Sequence, residues 1–423
     1  MSGSATVVWD DDFLSYDPGE GHPMRPVRLD LTMRLTRALG LLDRPGVSVT
    51  GAEPVSSELL SRVHDADYVR AVRRAMPDER YGLGTMDDPV WPQMHDASAL
   101  VTGASVAAAD AVRSGRAVHA VSIAGGLHHA QRTRASGFCV YNDPAVAIRA
   151  LLDDGVRSVA YIDVDAHHGD GVQNAFYDDP RVMTISLHQS GRTLFPGTGF
   201  PTELGVGEAE GTSVNVALPG FTGDAGWLRA FSGVVPVLLR AFEPEILVTQ
   251  CGCDAHRADP LTDLRLSVDG QRAAYLLLHD LAHELCDGRW IALGGGGYAM
   301  ADVVPRAWTH LIATVTGAPV PPETAVPMAW RTEVRTRLGI LGPAAMTDTS
   351  GTVAGTAADD PSAASPAPEG RTGQPATDPE RGIPAYVPWD AGDGDPDDPV
   401  DIAVAATRRE VLPLHGLDPW LDR

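Results

Sequence analysis

The alternation of short apolar runs with longer amphipathic stretches, from the start of the chain to about residue 340, constrains the fold more than any other feature. The clearest apolar runs are AVHAVSIAGG, VRSVAYIDVDAHH, RVMTISLH, EILVTQCGCDAH and RWIALGGGGY. Each is apolar or β-branched over most of its length, as are strands that are covered on both faces. The stretches between them have helical spacing, and one places Trp227, Phe231 and Val234 on one face. The alternation predicts an α/β fold around a mostly parallel sheet.

Composition and charge argue for a globular protein that does not read nucleic acid. The 423 residues are 43% hydrophobic and 21% charged, which is enough for a sizeable core. The net charge is −23, whereas phosphate binding needs clustered Lys and Arg. The start MSGSATVVWDDD lacks a basic region before an apolar run, and we expect neither a secretory signal nor a membrane span. The four cysteines form no CxxC pair, which favours buried thiols in a reducing cytoplasm.

A change of composition after about residue 343 predicts three regions. Residues 1–342 carry the α/β alternation and are expected to form one domain. Residues 343–382 are acidic and rich in Pro, Ala and Gly, which predicts a disordered linker. Residues 383–423 regain helical periodicity and could dock on the domain.

Acidic and histidine side chains gather where the predicted strands end, and this is where α/β sheets place their functional sites. Alternate residues of an extended chain share a face, which groups Asp163, Asp165 and His167. Two carboxylates this close repel each other unless a cation or a proton lies between them. Asp165 and His167, with Asp254 after another strand, therefore predict a divalent-metal site with O, N and O ligands and an open position for water.

Two adjacent histidines and a tyrosine could complete such a site. Of His128 and His129, one neutral imidazole could take a proton from water while the other stays charged. Each needs an orienting carboxylate, and Asp163 and Asp170 are the two acids not used as ligands. Tyr298 follows four glycines, and its phenol could donate to an oxyanion. A phosphate-binding turn is the other interpretation of GGGGY, but the Lys-Ser/Thr of a P-loop does not follow it.

Seven segments, in order, carry a resemblance to a known family. They are YDPGEGHPMRPVRL, GLHHAQRTRASGFCVYNDPAVAI, YIDVDAHHGDGVQNAFYDDPRVMTISLHQ, LFPGTG, GTSVNVALP, QCGCDAHRADPLTDLRLS and LGGGGY. The chain resembles the zinc-dependent histone deacetylase superfamily, and within it the bacterial acetoin-utilization deacetylases related to class I enzymes. The resemblance implies the arginase–deacetylase fold, with three α/β/α layers around a mostly parallel eight-stranded sheet, and makes residues 1–342 the catalytic domain.

The resemblance also implies roles for the site residues. The implied catalytic residues are His128, His129, Asp163, Asp170 and Tyr298. The implied metal ligands are Asp165, His167 and Asp254, and the metal would be zinc, with ferrous iron as the alternative. The implied walls of a substrate tunnel are Gly137, Phe138 and Phe195, with Leu261 at the rim, and Arg28 would line an acetate channel. The implied site for K⁺ or Na⁺ uses Asp163, Asp165, His167, Ser186 and Leu187, with a second near Phe176, Asp179 and Val182.

Two positions depart from the family pattern. Leu127 stands where many relatives have an aromatic residue, which should alter the inner channel but not the chemistry. The loop acid that grips the substrate backbone in class I enzymes has no clear counterpart, and Asp87 and Asp88 are the candidates.

The function that the resemblance implies is hydrolysis of the acetyl amide of acetyl-lysine in proteins, without nucleic-acid or membrane partners. One alternative is a deacetylase of the same fold that acts on acetylpolyamines or another small acetylated amine. A second is a non-catalytic acyl-lysine-binding member, which would have lost a metal ligand or the tyrosine, yet all are present. A third, an arginase-like hydrolase with two metals, needs more acidic ligands than GGLHHA supplies.

Overall fold

The protein is described by a computed structural model that covers residues 4–348, 376–378, 381–389 and 394–422. The strands in these ranges are β1 (Ala5–Val8), β2 (Val47–Thr50), β3 (His119–Ser122), β4 (Val159–Asp163), β5 (Val182–Gln189), β6 (Ser213–Leu218), β7 (Ile246–Gln250), β8 (Trp290–Leu293), β9 (Ala376–Asp378) and β10 (Ile383–Tyr386). The α-helices are α1 (Val27–Ala38), α2 (Ser57–Leu60), α3 (Ala66–Arg74), α4 (Met94–Arg113), α5 (Asp143–Asp153), α6 (Asp170–Ala175), α7 (Asp224–Phe242), α8 (Val268–Leu285), α9 (Val304–Val315), α10 (Met328–Leu338) and α11 (Pro399–Val411).

Eight strands form one sheet in the order β2-β1-β3-β8-β7-β4-β5-β6, and every neighbouring pair is parallel. This confirms the predicted α/β class, and the sheet is wholly rather than mostly parallel. Every residue of β3, β4, β5, β7 and β8 is buried, which explains why these strands have no polar alternate face. The five strands whose ends carry the candidate site residues are therefore consecutive neighbours in the sheet, and their carboxyl ends share one edge.

Local sequence signals fix the start of the helices that flank this sheet. The side chain of Asn142 caps α5 by accepting from the backbone N–H of Ala145, and Pro144 occupies the first turn, where it needs no donor. The side chain of Ser267 caps α8 in the same way. Both helices begin a few residues after stretches of the candidate site, so the caps help to hold those stretches in place.

Among the residues after 342 that the structure describes, several contact the body. Within the predicted linker, Met346 is fully buried and the carboxylate of Asp348 lies 2.8 Å from the guanidinium of Arg306. Helix α11 packs against α7 and β6, and Asp401 forms a buried ion pair with Arg229 at 2.6 Å. The predicted linker lies outside the described residues over 349–375 and 379–380. The division into three regions stays a prediction.

Helix α7 is long and apolar enough for the length of a membrane span, and among the described helices it is the one with this property. Of its most apolar window, 61% is buried inside the body. That degree of burial is typical of a core helix, in agreement with the apolar face that the sequence predicts.

Candidate active site

The predicted metal ligands meet above the ends of β4 and β7. The Nδ1 atom of His167 lies 3.1 Å from a carboxylate oxygen of Asp165 and 3.0 Å from one of Asp254. One donor atom from each residue lies within 4.8 Å of the other two, and all three residues are buried. The sheet order explains the meeting, since β4 and β7 are hydrogen-bonded neighbours although Asp254 follows Asp165 by almost ninety residues.

The charges of Asp165 and Asp254, beside His167, favour the binding of a cation among the three residues. Burial and the charge of Asp165 raise the pKa of Asp254 to about 8. Burial alone would lower the pKa of His167, but its hydrogen bonds to the two carboxylates outweigh burial and raise it to about 10. A proton on His167 thus bridges two buried acids, and a divalent cation among the same three donors would relieve the same repulsion. The residues fit a divalent metal by donor type, convergence and charge.

Hydrogen bonds from the neighbouring strands orient the two carboxylates. The Oδ2 atom of Asp165 accepts from the side-chain amide of Gln250 at 2.7 Å and from the backbone N–H of Gly296 at 2.8 Å. The Oδ1 atom of Asp254 accepts from the N–H of Ala166 at 2.8 Å. The remaining oxygens, Oδ1 of Asp165 and Oδ2 of Asp254, are those that face His167.

Sequence reasoning missed Gln250, although one signal could have found it. It is the last residue of β7, and the sheet pairs it with Asp163 on one side and with Leu293 on the other. A glutamine at the end of an otherwise apolar strand needs a polar partner when it is buried. Register across the sheet, which the sequence alone does not give, identifies that partner as Asp165.

The two adjacent histidines form a symmetrical arrangement with two acids. Their Nε2 atoms lie 3.0 Å apart. The Nδ1 atom of His128 lies 2.7 Å from Asp163, and that of His129 lies 2.7 Å from Asp170. The hydroxyl of Tyr161 also donates to Asp163, at 2.7 Å. The side chain of Gln131 donates to the second oxygen of Asp170 at 2.8 Å.

The two imidazoles are driven to opposite protonation states. Burial disfavours the charged form of His128, but the charges of Asp163 and Asp165 outweigh it and raise the pKa of His128 to about 9. Burial and the charge of His128 lower the pKa of His129 to about 4. Near neutral pH the pair therefore combines a charged and a neutral imidazole, the combination needed for an electrostatic stabiliser beside a base.

Asp259, an acid to which the sequence analysis assigns no role, positions Tyr298. The backbone N–H of Tyr298 donates to Asp259 at 2.8 Å, and the other oxygen of Asp259 accepts from the N–H of Leu261 at 3.0 Å. Burial, reinforced by the charges of Asp254 and Asp165, raises the pKa of Tyr298 well above its usual value. The phenol therefore keeps its proton and is a hydrogen-bond donor.

The predicted tunnel walls contact the histidine pair and Tyr298. The ring of Phe195 meets the ring of His129 edge-on at 5.0 Å, and the ring of Phe138 meets that of Tyr298 at 5.8 Å. Gly137 has a φ of +54°, and a Cβ there would lie 2.6 Å from the ring of His129 and 2.9 Å from that of Phe195. Phe195 is 45% exposed and Leu261 is half-buried, so both reach the surface.

Arg28 is buried behind the glycine run. Its guanidinium donates to the carbonyl of Gly295 at 2.8 Å and stacks 5.0 Å from the ring of Trp308. Together with Met24 and Leu127 it lines a small, partly open pocket. The leucine that stands in place of the expected aromatic residue thus lies beside Arg28.

The residues predicted to form the first monovalent-cation site lie at or near the carboxyl ends of the paired strands β4 and β5. Register pairs Asp163 with Ser186, and Leu187 follows Ser186 on β5. In the second group the N–H of Asp179 donates to the carbonyl of Phe176 at 3.0 Å. The side chain of Asp179 is engaged by Arg181 at 2.7 Å.

The two candidate loop acids differ in exposure. Asp88 is buried, and burial raises its pKa to about 8. Asp87 is exposed, and its carbonyl lies 3.0 Å from a ring nitrogen of His22. The ring of His22 packs 4.7 Å from that of Phe138. Asp87 is therefore the acid that lies free at the surface beside the predicted tunnel.

The fold and the site together define a class of enzyme. The site combines three converging side chains that could bind a metal, a neutral and a charged imidazole, and a protonated phenol, all at one edge of an α/β sheet. This combination is typical of a hydrolase that acts on a carbonyl group. The Histone deacetylase domain matches residues 22–315 of the chain, and the protein belongs to this family. It is a hydrolytic deacetylase that acts on amide bonds, as the sequence predicts.

Relatives and solved structures support this assignment over most of the chain. Acetoin utilization protein AcuC of Bacillus subtilis (strain 168) is 42% identical over 351 residues, which cover 81% of this chain and 90% of the relative. AcuC of Staphylococcus aureus (strain MSSA476) is 37% identical, with 78% and 86% covered. An HDAC homolog from Aquifex aeolicus has a solved structure with a TM-score of 0.73 and 32% identity, covering 82% of this chain and 94% of that one. A structure of an HDAC homolog complexed with SAHA has a TM-score of 0.71 and 32% identity, covering 79% and 89%.

Proposed function

We propose that the protein removes acetyl groups from the ε-amine of acetylated lysines in proteins, in the cytoplasm. The observation that carries the proposal is the pairing of His128 and His129, each held by its own carboxylate, beside three converging metal-ligand side chains. A member that only binds acyl-lysine has no need of two imidazoles in opposite protonation states. The name of the relatives, acetoin utilization protein AcuC, suggests a role in acetoin utilization.

Asp165, His167 and Asp254 would hold a divalent metal, which we assign as zinc with ferrous iron as the alternative. When bound there, the metal would polarise the amide carbonyl and acidify a water molecule. Gln250 and Gly296 keep one oxygen of Asp165 occupied, so that the other stays available as a ligand.

The other site residues move and hold protons. His129, neutral near pH 7, takes a proton from the attacking water at Nε2, while Asp170 holds its Nδ1. His128 stays charged against Asp163 and stabilises the negative charge that develops on the substrate. Tyr298 donates its phenol proton in a hydrogen bond to the carbonyl oxygen as that atom becomes an oxyanion. His129 then returns its proton to the lysine amine, which leaves as the C–N bond breaks.

The shape of the entrance suits a linear side chain. Phe138 and Phe195 present aromatic rings beside the tyrosine and the histidine pair, with Leu261 at the rim, and would contact the lysine methylenes. Gly137 provides the space between those rings and His129. Arg28, which lines a small pocket with Met24 and Leu127, would attract the acetate product. Asp163, Asp165, His167, Ser186 and Leu187 would bind a structural K⁺ or Na⁺ at the β4–β5 pair.

The test is the release of acetate from an acetyl-lysine peptide and from N-acetylputrescine by the purified protein, each with and without added zinc. Metal-dependent cleavage of the peptide supports the proposal. Cleavage of the polyamine alone would replace it with the small-molecule function, which the net charge of −23 also suits because polyamines are cations. Cleavage of neither by metal-loaded protein would refute acetyl-lysine as the substrate.

A further inference from the structure

Three histidines lie together at the edge of the sheet opposite the candidate active site. His119 is the first residue of β3, whereas the carboxyl end of the same strand leads to the paired catalytic histidines. His279 and His283 are one turn apart on α8, so their side chains share a face of that helix. The ring of His119 lies 5.1 Å from that of His279 and 4.9 Å from that of His283, measured between centroids.

The nitrogen atoms of these rings converge. The Nε2 atoms of His119 and His283 lie 3.1 Å apart. One nitrogen from each of the three histidines lies within 4.8 Å of the other two. Two nitrogens that bind one tetrahedral zinc ion at the usual bond length lie about 3.3 Å apart. The spacing between His119 and His283 is therefore already close to that of two ligands of one ion.

We propose that His119, His279 and His283 form a second divalent-metal site, separate from the active site, for a cation of the zinc, nickel or cobalt class. Imidazole is a preferred ligand of these ions, whereas the candidate active site uses two carboxylates and one imidazole. Three neutral ligands leave a fourth position for water, which is the usual arrangement of an open three-histidine site. Because His283 is exposed, the ion can enter from solvent.

The surroundings of the cluster suit this role. His119 is 4% exposed, and burial together with the neighbouring imidazoles lowers its pKa to about 4, so the ring is neutral at pH 7. Asp280 lies 3.7 Å from Nδ1 of His279 and can orient that ring. Trp290 of β8 packs against the rings of His119 and His279, which fixes the inner side.

The ion would link α8 to the first residue of β3. It would bind only to the folded chain, because the three histidines are not brought together in the unfolded chain. The competing explanation of the cluster is that the three rings only pack together, with a hydrogen bond between His119 and His283. That explanation predicts no affinity for a metal ion. The two explanations therefore differ in metal content.

The experiment is the zinc content of the full-length protein after equilibration in zinc-buffered solution, read by elemental analysis together with deacetylase turnover. We expect two ions per chain in the unmodified protein. The double variant His279→Gln and His283→Gln should retain one ion and full turnover. Glu284→Gln, a change to the exposed residue beside His283 on the same helix, is the matched control and should retain two. Equal zinc content in the double variant and the control would overturn the proposal, and so would a single ion in an active unmodified protein.

A single substitution guards against a folding defect in the double variant. His283→Gln alters an exposed side chain and leaves the buried His119 in place. The affinity of this variant for the second zinc ion should fall at least about 10- to 100-fold, because losing even a residue that only orients a metal ligand has an effect of this size. The measurement is a calorimetric titration of protein that already holds one zinc ion. An unchanged affinity would overturn the proposal.

Discussion

His128 and His129 face each other through Nε2 atoms 3.0 Å apart, while their Nδ1 atoms lie against different carboxylates, Asp163 and Asp170. A proton on one ring disfavours a proton on the other, because the two charges would be in contact. His128 also has its Nε2 atom 4.0 Å from Asp165, and the charges of Asp163 and Asp165 together place the proton on His128. The two chemical roles therefore follow from an asymmetry of nearby charge around two identical side chains.

The first prediction concerns the alkaline limit of activity. The charge of Asp163 raises the pKa of His128, so its removal in Asp163→Asn should lower that pKa. If His128 must be charged, the falling limb of kcat/KM against pH should then move to lower pH in this variant. The measurement is a pH profile of peptide deacetylation for both proteins. A falling limb at the same pH in the two would show that His128 does not carry the required proton.

The second prediction concerns the phenol. Tyr298→Phe removes the donor to the oxyanion and should lower kcat by about 10²-fold or more, the usual scale for one such donor. Tyr177→Phe, which changes a tyrosine outside the site, is the control and should leave kcat unchanged. Steady-state kinetics with an acetyl-lysine peptide measures both. Near-normal turnover in Tyr298→Phe would refute the role.

The third prediction separates crowding at the site from backbone strain. Gly137 has a φ of +54°, and a Cβ would collide with the ring of His129, whereas Gly115 has a φ of +74° and open space around it. Both alanine variants carry the strain of a left-handed residue, about 1 kcal/mol. Only Gly137→Ala should lower kcat/KM, by at least about tenfold, which needs just 1.4 kcal/mol of lost transition-state stabilisation. Equal activity in the two variants would show that His129 tolerates displacement.

The fourth prediction concerns stability in acid. Burial lowers the pKa of His310 to about 3, and its Nε2 lies 2.9 Å from the carbonyl of Met346. Between the unfolded and folded pKa values the unfolded chain binds a proton that the folded chain cannot, so this histidine lowers stability as pH falls from about 6.5 towards 3. His310→Gln should flatten the dependence over this range, by up to about 1.4 kcal/mol per pH unit. Urea unfolding at pH 7, 6 and 5 tests it, and parallel curves for the two proteins would contradict it.

The fifth prediction concerns the attachment of α11. Asp401 and Arg229 are both fully buried, and the two side chains meet through two contacts of 2.6 and 3.0 Å. Asp401→Asn would remove the buried negative charge that Asp401 presents to the Arg229 guanidinium and should reduce the free energy of unfolding by about 3–5 kcal/mol, the scale for breaking a buried ion pair. Glu410→Gln on the exposed face of the same helix should change it by less than about 0.5 kcal/mol. Similar unfolding midpoints for the two variants would contradict a structural role for this pair.

Much of the fold and of the site could be predicted from the sequence, because apolar strands that end in acids and histidines indicate both a parallel sheet and its functional edge. Strand order could not, and it is strand order that brings Asp254 to Asp165 and gives Gln250 its partner. Asp259 was visible as an acid after β7, but its role depends on the path of the loop that brings it to the N–H of Tyr298.

Long-range packing hides other features from the sequence. The separation of 160 residues between His119 and His279 conceals their cluster, which forms only when α8 lies across β3 and β8. The composition after residue 342 suggests a linker, yet Met346 and Asp348 find partners on α9.

The central claim is that deacetylation depends on a metal held by Asp165, His167 and Asp254. The most direct measurement is acetate release from an acetyl-lysine peptide by chelator-treated protein before and after zinc is restored, for the unmodified chain and for Asp254→Asn. We predict that activity is lost on chelation, returns with zinc in the unmodified chain, and does not return in the variant. Full activity in the metal-free protein, or equal recovery in Asp254→Asn, would contradict the account.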